Sequence, residues 1–276
     1  MSYETLAFIG AGNMASSLIS GLIADGYPPE RIRVSDTQEA MSRNLGDRYG
    51  VVVCSSNQEA VKSAAIVVLA VKPQVLRMVL EDLRDSLKAT SPLLLSIAAG
   101  IACHSIQRWA GGLSAIVRAM PNTPAMVQSG ATGLYATQAV SERQREVAES
   151  ILRAVGITVW VQEETLIDAV TALSGSGPAY YFLLMEAMEA AGVQLGLDRQ
   201  TASLLSQQTA LGAGRIAIES PEDPAELRRR VTSPGGTTER AIATFESGGF
   251  RDLVLSAMKA AKERAEVLSE ELGGDA

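Results

Sequence analysis

Histidine is almost missing from this 276-residue chain, where His104 stands alone. One imidazole cannot assemble a zinc site, and Cys54 and Cys103 lie far apart without metal-ligand spacing, so no metal centre is expected. The same two cysteines make no disulfide framework, which suits a reducing cytosol. Basic clusters are also scarce. The formal net charge is -7 and the one arginine run, Arg228-Arg229-Arg230, is short, which disfavours nucleic-acid binding as the main task. No apolar run reaches the ~20 residues needed to span a bilayer, and the start carries no basic signal-peptide region. A soluble, cytoplasmic protein with no membrane partner is the expectation. No segment is strongly charged and apolar residues are ample, so the chain is not a disordered one, and its length leaves room for about two domains.

What is present starts at the N-terminus. Thr5-Leu6-Ala7-Phe8-Ile9 reads as a buried strand, and Gly10-Ala11-Gly12-Asn13-Met14-Ala15 follows at once, leading into helical periodicity from Ser16 to Ala24. This is G-x-G-x-x-A between a strand and a helix, the setting that makes it a dinucleotide fingerprint. The first glycine permits the turn, the second lets backbone approach a pyrophosphate, and Ala15 keeps helix and strand close.

Arg31 to Ser35 forms a second strand ending at Asp36, where an adenine ribose would lie. Asp36 suits a ribose hydroxyl and hence NADH. Ser35, Thr37 and Arg43 suit a 2′-phosphate and hence NADPH. The plainer role for Asp36 is the N-cap of the next helix, and the same role suits Asn57 one unit later. Val51-Val52-Val53, Ala65–Ala70 and Leu93–Ile97 continue the strands. Val71-Lys72-Pro73-Gln74 places a first-turn proline after one of them, and Ala98-Ala99-Gly100 leaves a side-chain-poor exit after another. Ile116–Met120 leads into the rigid polar loop Pro121-Asn122-Thr123-Pro124, for which a plain turn is the competing reading. Gly130–Ala136 and Gly156–Val161 flank a helix from Ser141 to Ala154. The alternation predicts a mostly parallel, doubly wound α/β sheet of the Rossmann type over residues 1–164.

After Gln162 the strand signal stops, so residues 165–276 are expected to form an all-helical domain. Leu166–Leu173 reads as a helix interrupted by Ser174-Gly175-Ser176-Gly177 and restarted at Pro178, with Ser176 or Gly177 as cap. Glycine inside a helix costs about 1 kcal/mol, and such conflicts gather at functional or strained sites. An ordinary helix joint is the alternative. Asp198–Glu219 is a long helix with a small-residue face, which points to a dimer interface or to internal packing. Leu253–Leu272 is a closing helix, with Gly273-Gly274-Asp275-Ala276 frayed beyond it.

Between them lies Val231-Thr232-Ser233-Pro234-Gly235-Gly236-Thr237-Thr238, a bare-backbone turn that feeds a helix. Orphan N–H groups and the positive end of the helix dipole make such a place receptive to anions. A threonine cap is the plainer reading. The helical domain contains only Lys259 and Lys262 and no histidine, so it lacks a conventional acid for an alcohol proton. Reduction of a C=N bond needs less, because a protonated imine is already electrophilic.

Phe8–Met14, Ala70-Val71-Lys72-Pro73, Met120–Pro124, Ser174–Tyr180 and Ser233–Thr238 together resemble the pyrroline-5-carboxylate reductases over nearly the whole chain. The resemblance implies reduction of 1-pyrroline-5-carboxylate to L-proline by NADPH, with NADH open, as the final step of proline biosynthesis. It implies that Gly10, Ala11, Gly12, Asn13, Met14, Ser35, Asn57, Ala70, Val71, Lys72, Pro73, Ala98, Ala99 and Gly100 contact the cofactor. It further implies that Ser233, Gly236 and Thr237 hold the substrate carboxylate, that Thr238 bonds the ring nitrogen, and that Ser176 lines the same pocket. Glu164 would approach that nitrogen, with a helix-N-terminal charge as its plainer role. The implied assembly is a homodimer, with a decamer of five dimers above it. The rival readings are a related imine reductase or hydroxy-acid dehydrogenase on this scaffold, and a non-catalytic sensor of nicotinamide nucleotides.

Overall fold

Four short strands without a charged residue, Leu6–Ile9 (β1), Ile66–Leu69 (β4), Leu93–Ser96 (β5) and Ile116–Met120 (β6, apart from Arg118), lie at the centre of an eight-stranded sheet. Their runs are apolar because both sheet faces are covered. Alternate residues of β1 go to opposite sides: Leu6 and Phe8 join one buried cluster, Ala7 and Ile9 the other. The computed structural model describes residues 3–274, and Asp275 and Ala276 of the expected frayed tail lie outside them.

Ile32–Ser35 (β2) and Val52–Val53 (β3) extend the sheet on one side, Gly130–Ala136 (β7) and Gly156–Trp160 (β8) on the other, in the order β3-β2-β1-β4-β5-β6-β7-β8. All pairs are parallel except β6–β7. Strand order reverses between β1 and β4, and ligands of open α/β sheets bind outside the strand ends at such a point. One face carries Asn13–Ala24 (α1) through Leu18, Ile19 and Leu22, and Glu142–Arg153 (α6) through Ile151 and Leu152. The other carries Pro73–Thr90 (α4) through Leu76, Leu80, Leu83 and Leu87, and Cys103–Trp109 (α5) through Ile106 and Trp109. Glu39–Tyr49 (α2) and Asn57–Val61 (α3) complete the strand–helix alternation.

From Leu166 onward the chain is helical, as expected. The interruption, however, is not a break. Leu166–Val170 (α7) widens into a π-turn over Thr171–Gly175, and Gly177–Gln194 (α8) continues it. Ser176 keeps helical angles (φ -85°, ψ -18°), so it is not an extended N-cap. Arg199–Glu219 (α9), Pro224–Arg230 (α10), Thr237–Ser247 (α11) and Phe250–Gly273 (α12) follow. Among the described residues, no helix is long and apolar enough to cross a membrane.

By compactness the chain forms two units, Met1–Ser176 with Ala261–Ala276, and Gly177–Ala260. The first thus keeps α7, whose Val170 methyls fill the space beside Gly133 of β7, and recovers the end of α12, where Leu272 packs against the α4–α5 cluster. Gly273 is anchored there, its carbonyl accepting from Ser105 Oγ at 3.1 Å and Arg108 Nη2 at 2.8 Å. The second unit has almost no interior. Among its described residues only Gly177, Ala202 and Ser206 are buried, while Tyr181, Phe182, Leu183, Leu204, Leu211, Ile216 and Ile218 are exposed.

The placement of α1 depends on close approach at Gly21, where an added Cβ would lie 2.4 Å from the Ala154 carbonyl oxygen. Alanine gains about 1 kcal/mol of helix propensity over glycine, whereas overpacking a core costs about 1–3 kcal/mol, and here the clash is with backbone that cannot rotate away. Gly21→Ala is therefore expected to lower unfolding free energy by at least about 1 kcal/mol in urea denaturation; a stabilised variant would show that α1 and the end of α6 are not held this tightly.

Candidate active site

The loop after β1 shows two glycines with different causes. Gly10 has φ +103° and a Cβ there would stand 2.7 Å from the Ala70 carbonyl oxygen, so the protein itself requires glycine. Gly12 has ordinary dihedrals (φ -71°, ψ -176°), and a Cβ there would meet nothing within 4 Å. Nothing inside the chain demands glycine at position 12. The space beside it suits a molecule from outside, as the second glycine of a pyrophosphate loop would. Gly12 is also the N-cap of α1 and offers no side-chain cap, and the first turn, Asn13-Met14-Ala15-Ser16, has no acidic residue. Uncapped first-turn amides of this kind are receptive to an anion.

Asp36 does not cap α2, whose N-cap is Gln38. Its carboxylate turns back to the glycine loop. Oδ2 accepts from Ala11 N–H at 2.7 Å and Oδ1 from Gln38 N–H at 2.8 Å. Arg43, one candidate for a 2′-phosphate, is exposed and paired with Glu39 at 2.6 Å. Ser35 is buried, its hydroxyl donating to Asn57 Oδ1 at 2.7 Å. Asn57 is not the cap of α3 either. Ser56 does that, accepting from Glu59 N–H, which leaves the Asn57 carboxamide facing the end of β2. Tertiary position thus overrides the local capping preference at both sites.

Register places Ile9 opposite Leu69, and Leu69 opposite Ser96, so Gly10, Ala70 and Ile97 leave the sheet along one edge. Pro73 opens α4 as its sequence position implied, Lys72 is the exposed N-cap residue, and no side chain caps that helix. Val71 packs partly against the α4–α5 cluster, and Ala98 is buried. Gly100 has φ +71°, and a Cβ on it would sit 3.5 Å from Leu272 Cδ1, so the last turns of α12 lie beside Ala98-Ala99-Gly100.

Reading the sequence missed Arg118. It sits in the middle of β6, 3% exposed, and forms an ion cluster with Glu164 (3.1 Å) and Asp168 (3.3 Å). A lone arginine in the apolar run Ile116–Met120, with carboxylates four residues apart around the start of α7, was the available signal. Glu164 Oε1 also accepts from Cys103 N–H at 2.7 Å, capping α5 from a distance, while the Glu164 side chain remains 24% exposed. Burial pushes the Asp168 carboxyl above its usual range, with Arg118 opposing the rise and Glu266 adding to it. Burial and the Glu164 carboxylate push the Cys103 thiol far up, and burial raises Cys54, so neither thiol is a nucleophile at neutral pH.

In the second unit, Ser233-Pro234-Gly235-Gly236 forms the expected turn. Gly235 has φ +70°, Gly236 N–H donates to the Ser233 carbonyl at 3.0 Å, and Gly236 is the N-cap of α11. No side chain caps that helix, despite Ser233, Thr237 and Thr238 beside it. The plainer reading, a threonine cap, is therefore not what the turn does. One carboxylate reaches back: Glu239 Oε2 accepts from Gly235 N–H at 2.7 Å. The arginine run ends α10, pairing Arg228 with Glu246, Arg229 with Glu226 and Arg230 with Glu222, as a helix C-terminus favours.

A pyrroline-5-carboxylate reductase of Pseudomonas aeruginosa is 53% identical over 273 residues, covering 99% of this chain and 100% of that one. The chain belongs to the pyrroline-5-carboxylate reductase family. The family description "Pyrroline-5-carboxylate reductase dimerisation" matches residues 164–268, and "NADP oxidoreductase coenzyme F420-dependent" matches residues 5–100. A solved pyrroline-5-carboxylate reductase from Coxiella burnetii superposes with a TM-score of 0.94 at 48% identity, over 97% of this chain and 99% of that one. The Plasmodium falciparum pyrroline carboxylate reductase, solved with NADP bound, gives 0.83 at 29% identity, over 98% and 99%.

For a reductase of this family, the open space at Gly12 and the uncapped α1 are what a nicotinamide dinucleotide requires. Gly12→Ala should leave the midpoint of thermal unfolding within about 2 °C, since its Cβ meets nothing, yet weaken NADPH binding about tenfold or more, one lost close contact being worth about 1.4 kcal/mol. Isothermal titration checks this, and unchanged affinity would show that the space is not used.

Proposed function

We propose that the chain reduces the C=N bond of 1-pyrroline-5-carboxylate to L-proline, using NADPH and accepting NADH. The observation that carries this reading is the N-terminus of α11: orphan amides at a glycine turn, three flanking hydroxyls (Ser233, Thr237, Thr238), and no side-chain cap. Such a terminus is completed by a small carboxylate.

Ser233, the Gly236 backbone and Thr237 hold the substrate carboxylate, and Thr238 Oγ1 bonds the ring nitrogen. Ser176 and the exposed side of Glu164 line the pocket. Carboxylate binding displaces Glu239 from Gly235 N–H, since the two anions compete for the same helix end. On the first unit, Gly10–Met14 hold the pyrophosphate, and Ser35 with Asn57 bounds the adenosine end. Ala70–Pro73 and Ala98–Gly100 supply flat backbone along the strand ends. The bound nicotinamide supplies the hydride. The chain's residues supply position and hydrogen bonds rather than a strong acid. Lys259 is exposed and Lys262 is paired with Glu266, so neither serves as a general acid, which disfavours a hydroxy-acid dehydrogenase.

The second unit is completed by a second copy of the chain. Its exposed apolar residues on α8 and α9, with almost no interior of its own, support a homodimer, and a decamer of five dimers is the larger assembly expected of the family. Two free, buried cysteines suit the cytoplasm as the site of action.

Thr238→Ala is expected to lower kcat about 10- to 100-fold, the range for losing one positioned hydrogen bond, with the Kd for NADPH unchanged; retained kcat in stopped-flow NADPH oxidation would remove Thr238 from the mechanism. Assembly is checked separately. Sedimentation equilibrium should give no monomer at micromolar concentration, and the unfolding midpoint should rise with protein concentration, because association stabilises only the folded form. A midpoint independent of concentration, in a monomer, would contradict the dimer.

A further inference from the structure

The π-turn at Thr171–Gly175 leaves a carbonyl that the helix cannot satisfy. In a regular helix the Ser174 carbonyl would accept from the N–H of residue 178, and residue 178 is proline, which has none. The vacancy is filled from the sheet. Asn122 Nδ2 donates to the Ser174 carbonyl at 3.0 Å, while Asn122 Oδ1 accepts from Ala131 N–H on β7 at 2.9 Å. Its partners are a backbone acceptor and a backbone donor, so the orientation of the carboxamide is fixed by chemistry. Asn122 is 8% exposed, and no other short side chain offers a donor and an acceptor in this fork.

The turn it holds is unusual in other ways. Ser176 N–H donates to the Thr171 carbonyl at 2.8 Å, a bond spanning five residues. Thr171 Oγ1 and Ser174 Oγ donate back to the carbonyls of Ile167 and Val170, a pattern that bends helices. At Gly175 an added Cβ would stand 2.6 Å from Met120 Cε, so the backbone is pressed against the end of β6. Pro178 opens the helix on one side, and Asn122 closes it on the other.

We propose that Asn122 is a positioning residue for substrate binding: its carboxamide replaces the helix hydrogen bond that Pro178 deletes and so fixes the π-turn that presents Ser176. This rests on the reading of Ser176 as part of the substrate pocket. It assigns the Pro121–Pro124 loop a task beyond that of a plain turn. The loop ties the wall of the substrate site to the strand end where the cofactor edge lies.

The test uses Asn122→Asp in the full-length enzyme. This variant keeps the acceptor for Ala131 N–H but puts a carboxylate against the Ser174 carbonyl. The expected result is a fall of about tenfold or more in kcat/KM for 1-pyrroline-5-carboxylate, the scale of a small misplacement at a reacting centre, with the KM for NADPH changed less than twofold. Hydrogen exchange should quicken at the Ser176 amide and stay slow at Ala131. Adding Pro178→Ala restores an N–H to the Ser174 carbonyl, so in that background the Asn122→Asp effect should shrink; independent structural damage would add instead. Where Asn122→Asp does not fold, Asn122→Ser carries the same readouts. Unchanged substrate kinetics with unchanged Ser176 exchange would overturn the proposal, as would an equal loss of cofactor and substrate affinity. If the unaltered enzyme turned over no pyrroline carboxylate, the proposed activity would fall, and the exchange pattern would still decide whether Asn122 holds the turn.

Discussion

Unsatisfied amides at helix N-termini are the constraint around which this chain is arranged. Each helix begins with N–H groups that have no partner inside it. At several helices the N-cap side chain closes the end: Ser56 for α3, Ser141 in a full capping box for α6, Asp198 for α9 and Asp223 for α10, while α2, α4 and α5 begin without one. At α1 and α11, glycines stand where a capping side chain would be, at Gly12 and Gly236. A capping residue is worth about 1 kcal/mol. Leaving it out at these two ends forgoes stability and keeps the amides available to a phosphate and a carboxylate, the two anionic groups that the proposed reaction brings.

The buried charges follow the same logic. Arg118 in the strand interior requires carboxylate partners, and Glu164 and Asp168 provide them from the segment that leaves the sheet. Removing one partner from such a cluster leaves an uncompensated charge, which costs far more than the pair contributes. The cluster therefore constrains where the helical segment can start, whatever its net contribution to stability. Glu164 closes α5 with the same oxygen that meets Arg118, so a side chain expected near the substrate is also tied to the sheet.

Much of this fold is legible in sequence because parallel strands buried on both faces have to be apolar throughout, and because G-x-G-x-x-A has meaning only between such a strand and a helix. The turn at Ser233–Thr238 is legible for a related reason, since proline fixes its own φ and the glycines after it supply the positive φ that a tight turn needs. What sequence does not show is long-range choice. Asp36 and Asn57 stand at positions where either could cap the next helix, and the outcome depends on Ala11 and Ser35, more than twenty residues away in the chain. The π-turn is invisible for the same reason: Ser174-Gly175-Ser176-Gly177 reads as a break, and the carboxamide of Asn122 that bonds the widened helix there arrives from the loop after β6, 52 residues away. The return of α12 to the first unit depends on Leu272 finding the α4–α5 cluster, which no local pattern encodes.

The helical unit sharpens how assembly and catalysis depend on each other. With Gly177, Ala202 and Ser206 as its only buried described residues, it has too little apolar burial to offset the entropy of ordering its helices. The proposed homodimer supplies that missing burial through apolar surface on another copy. The α11 N-terminus belongs to that unit, so the alignment of its amides and hydroxyls inherits whatever rigidity association provides. Positioning is the main catalytic resource of a site without a strong acid, and positioning within a fraction of an ångström requires supporting structure. With the proposed homodimer, the contact between copies is then part of the proposed catalytic apparatus. On the proposed reading, a variant that weakens association through Leu204 or Ile218, exposed apolar residues of α9, acts on turnover through the geometry of Thr238.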